Sequence, residues 1–370
     1  MIKGMNILYI CEYAAPYPGS FVPALSALIH EVGKNNTVYC LFPEKANNMP
    51  WLSLLGIGKD HIFYADFSVK KLAQKCQWLC KMLGRENTIV HTHFVGDFRL
   101  AAVRFSFPKV ICHYHMMVPY GTTLMKKLKR LVRIPIYWNS VIVGVSEAVA
   151  KDTQWYFRNV NSECIPNAVD FAMLEKCSEE PVVLEKFRSG QYRVLIHGSD
   201  FVCKGVDVAV KAIQELNHEY DNGFRLYMTS NTVQVTEENI REITAQTDNI
   251  TVMQSVKNIK SLYDSMDLFI SPSREEAFSF AVVEASYSDC QVAASDIPGQ
   301  NTMKPVPGIF WFEKDDVAGL KKAILQAKET AEKGQAGKIK EEQKAFVVRN
   351  FRIERWVEQN LAVYDKYYKK

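Results

Sequence analysis

Apolar positions recur along the chain in two rhythms. Short β-branched runs at 6–10, 37–42, 61–64, 88–92, 109–114 and 141–145 read as strands, and longer stretches between them carry apolar residues at helical spacing. Over 22–32, Leu25, Leu28, Ile29 and Val32 share one face, and Gly33 is placed to close the helix. The pattern restarts near Arg193, with strands expected at 194–197, 224–228, 250–253, 268–271, 291–294 and 309–312. Helices are expected at 206–216, 259–265, 280–288 and 317–333, and 351–370 reads as a long terminal helix through Trp356, Leu361, Val363 and Tyr364.

Strands alternating with helices build parallel sheets wrapped by helices, so the expected fold class is α/β with two Rossmann-like domains. The length of 370 residues allows each to bury its own core. The expected boundaries are 1–167 for an N-terminal, acceptor-side domain, 168–189 for the connection, which holds Pro181, and 190–350 for a C-terminal domain. Residues 351–370 form a last helix that is expected to cross back to the first domain. Open parallel sheets bind ligands beyond the carboxyl ends of their strands, so two such domains are expected to face each other across a ligand cleft.

Hydrophobic residues at 48% and charged residues at 23% exclude a disordered chain, a collagen and a disulfide scaffold. The nine cysteines contain no Cys-x-x-Cys pair, which argues for buried thiols over a zinc knuckle or redox motif. No apolar run reaches 18 residues and the first ten lack a cleavage site, so a cytoplasmic protein is expected. Charge is uneven: residues 1–167 carry 19 Lys+Arg against 10 Asp+Glu, and residues 168–370 carry 26 against 31, which points to different partners for the two halves. With no recognition module, a nucleic-acid partner is not expected.

The most informative stretch is Ser271-Pro-Ser-Arg-Glu-Glu-Ala-Phe-Ser-Phe-Ala-Val-Val-Glu-Ala, in which seven residues separate Glu276 from Glu284. Glu276 falls in a loop after a strand and Glu284 about a turn into the next helix, with Ser279 placed to cap it. The unpaired N–H groups of such a helix start favour a phosphate or diphosphate, and a carboxylate one turn along can accept from two ribose hydroxyls. An ordinary strand–loop–helix turn with acidic residues near its start explains the same spacing. Lys204, taken alone, reads as a solvated surface lysine.

Pro272-Ser273, Glu276, Phe278, Glu284-Ala285 and Val292-Ala293-Ala294-Ser295-Asp296 resemble the Glu-seven-residues-Glu signature of retaining glycosyltransferases of the GT-B fold, most closely glycosyltransferase family four. Gly198 with Lys204-Gly205-Val206-Asp207 is similar to that family's Gly-Arg…Lys-Gly segment, and Ser146-Glu147 with Ile165-Pro166-Asn167-Ala168-Val169-Asp170 resembles its interdomain link. The resemblance implies a nucleotide diphosphate sugar, UDP-sugar ahead of GDP-sugar, held by the second domain. Its diphosphate would meet Lys204 and the backbone around Gly198, Ser199, Phe278, Ser279 and Phe280, its ribose Glu284 and its sugar Glu276. His115 resembles the histidine that closes over the donor sugar, and His93 a family histidine on the neighbouring strand. Gly19 and Ser20 occupy the family's glycine-rich turn on the acceptor side. No metal or other cofactor is implied.

Five positions depart from the family pattern: Ser199 for an Arg, Ala168, Ala277 and Asp289 for Gly, and Gln291 for Pro. Loss of the Arg removes a bidentate phosphate donor and leaves Lys204 with more of the charge, with Arg274 close to Glu276 in sequence. His91, His93, His113 and His115 form two His-x-His pairs whose alternation puts each pair on one face, an arrangement that also raises a metal cluster. His91 and His113 are expected to be buried, satisfied core histidines. Residues 125–138 combine five basic residues with Leu128, Leu131, Val132, Tyr137 and Trp138, which fits either a helix lying on the inner membrane face or a core-packed helix with a solvated side.

The resulting expectation is a retaining glycosyltransferase acting on a saccharide acceptor, lipid-linked, in cell-surface polysaccharide or glycolipid synthesis. A nucleotide-sugar epimerase on the same fold and a non-catalytic GT-B partner subunit stand as alternatives.

Overall fold

The computed structural model describes residues 2–117, 124–176, 190–230, 248–254, 256 and 258–368, without the side chains of 125–127 and 129. The connection expected at 168–189 lies outside the described residues from 177 onward. The chain divides into two compact units, Met1–Ala168 with Ile353–Lys370, and Val169–Arg352.

In the first unit, β1 (Asn6–Cys11), β2 (Thr37–Pro43), β3 (Ile62–Ala65), β4 (Thr88–His93), β5 (Val110–Tyr114), β6 (Val141–Gly144) and β7 (Asn161–Cys164) form a parallel sheet in the order β3-β2-β1-β4-β5-β6-β7. The central strands are buried on both faces because helices cover both, which is why they read as unbroken apolar runs. β7 was not expected: its sequence, Asn-Ser-Glu-Cys, is polar because it lies at the sheet edge. Helix Phe21–Gly33 buries Val22, Leu25, Leu28, Ile29 and Val32 and packs against the terminal helix Ile353–Tyr368. Trp356, Val363 and Tyr364 of that helix join the same core, each buried aliphatic side chain contributing about 1.5–3 kcal/mol.

Ser146 caps helix Glu147–Phe157, its side chain accepting from the Val149 N–H at 3.3 Å. Gly144 is required at this corner, since a Cβ there would lie 2.5 Å from the Ala150 nitrogen.

The second unit repeats the plan with β8 (Tyr192–His197), β9 (Phe224–Ser230), β10 (Ile250–Gln254), β11 (Leu268–Ser271), β12 (Gln291–Ser295) and β13 (Phe310–Phe312), ordered β10-β9-β8-β11-β12-β13 and parallel throughout. Helices Val206–Glu219 and Val317–Glu332 cover one face through Val206, Ala209, Ile213, Leu216, Leu320 and Ile324. A helix that sequence reading missed, Ala336–Phe351, follows. The strands at which this unit starts and ends meet, Val169 bridging Arg352 in parallel with the Val169 N–H donating to the Phe351 carbonyl at 2.8 Å. Among the described residues no helix is long and apolar enough to cross a membrane.

Candidate donor site in the second unit

The loop after β11 and the turn after β8 bring together two of the residues singled out above. Lys204 Nζ and Glu276 Oε1 form an ion pair at 2.5 Å, both largely shielded, with side chains 27% and 13% exposed. The Ser273 hydroxyl donates to the same carboxylate oxygen at 3.0 Å. Lys204 sits on a tight turn in which its own N–H donates to the Asp200 carbonyl and Gly205 adopts a left-handed φ of +65°. Only glycine fits there, because a Cβ would come within 2.1 Å of the Pro272 carbonyl, so the Lys204 turn and the Glu276 loop are locked together by backbone contact.

Two residues that sequence reading did not single out for the site hold the Ser271–Glu276 loop from beneath. Ser295 donates to the Ser273 carbonyl at 2.6 Å, and the Gln300 amide lies 3.1 Å from the Ser271 hydroxyl and 3.3 Å from its carbonyl. Gly299 is pressed against the same loop, with a Cβ position 1.5 Å from the Glu276 carbonyl oxygen. The only signal in the sequence was Ser295 inside the Val292–Asp296 match; Gln300 and Gly299 carried none.

Helix Phe280–Tyr287 begins four residues after Glu276. Ser279 occupies its N-cap but, against expectation, its side chain makes no capping bond, and the residue is buried. The first N–H groups of any helix lack intrahelical partners, so the start of this one presents backbone donors whether or not a side chain caps it. Phe278 is buried, its ring edge-on to Phe280 and Phe351, which makes it a packing residue of the loop. Glu284, in the same helix, is half-buried, and burial pushes its carboxyl up to about 7 from an ordinary 4.5.

Gly198 follows β8, donates to the Thr229 carbonyl at 2.7 Å, and is tightly enclosed by Met228. Ser199 beside it is half-buried. His197 is held between Thr229 Oγ1 at 2.6 Å and Tyr263 Oη at 2.7 Å; burial first, and the Lys204 charge second, push it down to about 4, so it stays neutral. Arg274 does not take the place of the missing arginine at 199. Its guanidinium is spent on Asp207 at 2.7 Å and Asp315 at 2.6 Å.

In the first unit, Gly19 has a φ of +53° in a turn steadied by Tyr13, whose hydroxyl donates to the Tyr17 carbonyl at 2.7 Å. Ser20 is the N-cap of helix Phe21–Gly33, also without a side-chain capping bond. Register pairs His93 with His113, and alternation puts His91, His93 and His113 on one side of adjoining strands, as expected. His115 follows just past β5, half-buried, with its Nε2 at 3.2 Å from His93 Nδ1. Burial holds these rings neutral, His91 and His115 pushed down to about 3 and His93 and His113 well below their ordinary value. The expectation that His91 and His113 are satisfied fails. His91 Nε2 and both nitrogens of His113 are buried without a hydrogen-bond partner among the described residues.

Residues 191–329, within the second unit, match the family model described as glycosyl transferases group 1. Solved structures place the whole chain in the GT-B fold. A glycosyltransferase from Rickettsia africae superposes with a TM-score of 0.75 at 18% identity, covering 100% of both chains. HepE of Anabaena, solved in complex with UDP, gives 0.72 at 15% over 98% of this chain and 100% of its own, and sucrose-phosphate synthase from Thermosynechococcus elongatus gives 0.75 at 15% over 98% of both. No curated protein matches the chain. The domain match and the shared fold together support a glycosyltransferase.

Proposed function

We propose that the chain is a retaining, family-four-type glycosyltransferase that moves a sugar from a UDP-sugar to a saccharide acceptor, lipid-linked, in the synthesis of a cell-surface polysaccharide or glycolipid. The observation that carries this reading is the meeting of Lys204 and Glu276 on interlocked loops immediately before a helix start, inside the matched domain. In the reaction the anomeric carbon–oxygen bond to the diphosphate breaks, a bond to the acceptor hydroxyl oxygen forms on the same side of the sugar, and the acceptor proton passes to the departing phosphate oxygen. Charge grows on that phosphate, so Lys204 and the backbone donors ahead of Phe280 stabilise the transition state more than the ground state. Glu276 contacts sugar hydroxyls and ionised Glu284 accepts from the ribose, while His115, His93, Gly19 and Ser20 of the first unit keep the sugar and acceptor roles that the resemblance implies.

Titration calorimetry with UDP, GDP and ADP tests the donor site. UDP is expected to bind, and Lys204→Ala to weaken it about 10–100-fold, the worth of one charge-assisted hydrogen bond. UDP affinity untouched by that change removes the site. Glu276→Ala is expected to abolish turnover of the donor.

One observation favours a second reading, a non-catalytic partner subunit: Lys204 is already neutralised by Glu276, and Arg274 by two aspartates. Under it UDP-sugar binds but is not consumed with any lipid-linked saccharide; release of UDP without an acceptor marks instead the epimerase.

A peripheral membrane position on the inner face belongs to the same proposal. Helix Leu124–Tyr137 leaves Leu124, Leu128, Leu131 and Val132 exposed, with Trp138 just beyond. Leu124, Leu128 and Leu131 stand at i, i+4 and i+7, one face of the helix. Of its basic residues, Arg133 pairs with Asp97 at 2.5 Å and Arg130 donates to the Tyr156 carbonyl at 2.8 Å, while the side chains of Lys126, Lys127 and Lys129 lie outside the described residues.

A further inference from the structure

We propose that His91, His93 and His113 form a binding site for a zinc-class transition-metal ion in the first unit. Their ring nitrogens lie within 4.8 Å of one another, and the residues are 0%, 0% and 4% exposed. Four nitrogens of these rings, His91 Nε2, His93 Nε2 and both of His113, have no partner among the described residues. A buried polar atom left unpaired is costly, so three neighbouring rings that together leave four nitrogens unpartnered call for an occupant.

The surrounding hydrogen bonds select the right lone pairs. The Tyr364 hydroxyl donates to Tyr9 at 3.0 Å, so at 2.8 Å its oxygen accepts from His91 Nδ1–H, and the His91 lone pair falls on the unpartnered Nε2. His93 Nδ1 faces His115 Nε2 at 3.2 Å; with the proton on Nδ1, the His93 lone pair likewise falls on its unpartnered Nε2. A ring whose far N–H is held by a second residue is the usual arrangement of a metal-ligating histidine. Zinc–nitrogen bonds of about 2.0–2.1 Å set tetrahedral ligands about 3.3 Å apart, so metal entry requires the widest pair to close by roughly 1.5 Å and the rings, stacked at 11° to 28° to one another, to turn about χ2. His113 offers either nitrogen. Half-buried His115 stacks on His113 with ring centroids 4.7 Å apart, and the fourth ligand of a three-histidine zinc site is a water. Imidazole-only ligands select Zn²⁺, Co²⁺, Ni²⁺ or Cu²⁺ over Mg²⁺ and Ca²⁺, which prefer oxygen.

This site shares His93 with the proposed acceptor side, so its test reads metal retention and uses no turnover. The untagged full chain is stripped with chelator, given Zn²⁺, Co²⁺ or Mg²⁺, and passed through gel filtration before elemental analysis. About one Zn²⁺ per chain is expected, no Mg²⁺, and a Co²⁺ derivative with the visible absorption of a four-coordinate nitrogen site. His113→Leu is expected to abolish retention and Tyr364→Phe to weaken it about 10-fold, while His218→Ala, in the second unit, leaves it unchanged. Retention that survives His113→Leu, or none by the wild-type chain, overturns the proposal. Should His113→Leu fail to fold, anomalous scattering at the zinc edge from wild-type crystals decides: a peak among the three rings supports the site, and a peak elsewhere or no peak overturns it.

Discussion

Replacing Glu284 with Gln separates what the residue does for binding from what its burial does to the fold. With its carboxyl raised to about 7 from 4.5, the folded chain holds a proton that the unfolded chain releases between those values. Protons bound in the folded state beyond those of the unfolded state make stability fall as pH rises, so the penalty for burying Glu284 grows from pH 4.5 to 7 and is flat above. At about 1.36 kcal/mol for each pH unit that separates the folded from the unfolded carboxyl, the full penalty is about 3 kcal/mol at pH 8 and about 1.5 at pH 5.5; partial exposure reduces both, to about 2 and 1. The amide carries no charge at either pH. Urea denaturation of wild type and Glu284→Gln, followed at both pH values without ligand, should therefore show the variant gaining about 1 kcal/mol more at pH 8 than at pH 5.5. The same change should weaken UDP binding, since an amide is a poorer acceptor for ribose hydroxyls. A stability difference that does not move with pH, or one larger at pH 5.5, refutes the burial argument even if UDP binding is lost.

Gly299→Ala forces the Glu276 backbone aside, because the atom it meets is a carbonyl and not the end of a flexible side chain. Donor turnover should drop about 100-fold, as for a catalytic group misplaced by about 1 Å, with circular dichroism preserved; turnover within twofold of wild type would show that Glu276 tolerates displacement. Arg274→Ala breaks two part-exposed ion pairs and should cost only about 1 kcal/mol in urea melts, leaving UDP affinity alone. A tenfold loss of UDP affinity there would mean that the guanidinium leaves its aspartates to reach the donor. Leu128→Ser with Leu131→Ser should cut co-sedimentation with phosphatidylglycerol vesicles several-fold, and equal sedimentation of variant and wild type removes the membrane contact.

Most of the strands were legible because burial on both faces leaves little but β-branched residues in them, as in Val141–Gly144. β7 was not, since an edge strand accommodates Asn, Ser and Glu, and Ala336–Phe351 was not, since only a few of its residues are buried. The donor-side residues were legible as a local motif, but their coupling was not: Lys204 and Glu276 stand 72 positions apart and meet only because β8 and β11 are neighbours. Gln300 reaches Ser271 from 29 positions away. The histidines were legible as alternating pairs. That their nitrogens lack partners was not, because it depends on the β4–β5 register and on Tyr364 from a helix 273 residues beyond His91.

The parallel bridge between Val169 and Arg352 gives residues 169–352 the topology of an insertion: the chain leaves the first fold after Ala168, completes a second one, and resumes the first at Ile353 through two adjoining joints. The second unit is therefore contiguous in sequence while its two joints lie side by side in space. Its counterpart is assembled from the segments on either side of that unit and owes part of its core to the helix that follows it.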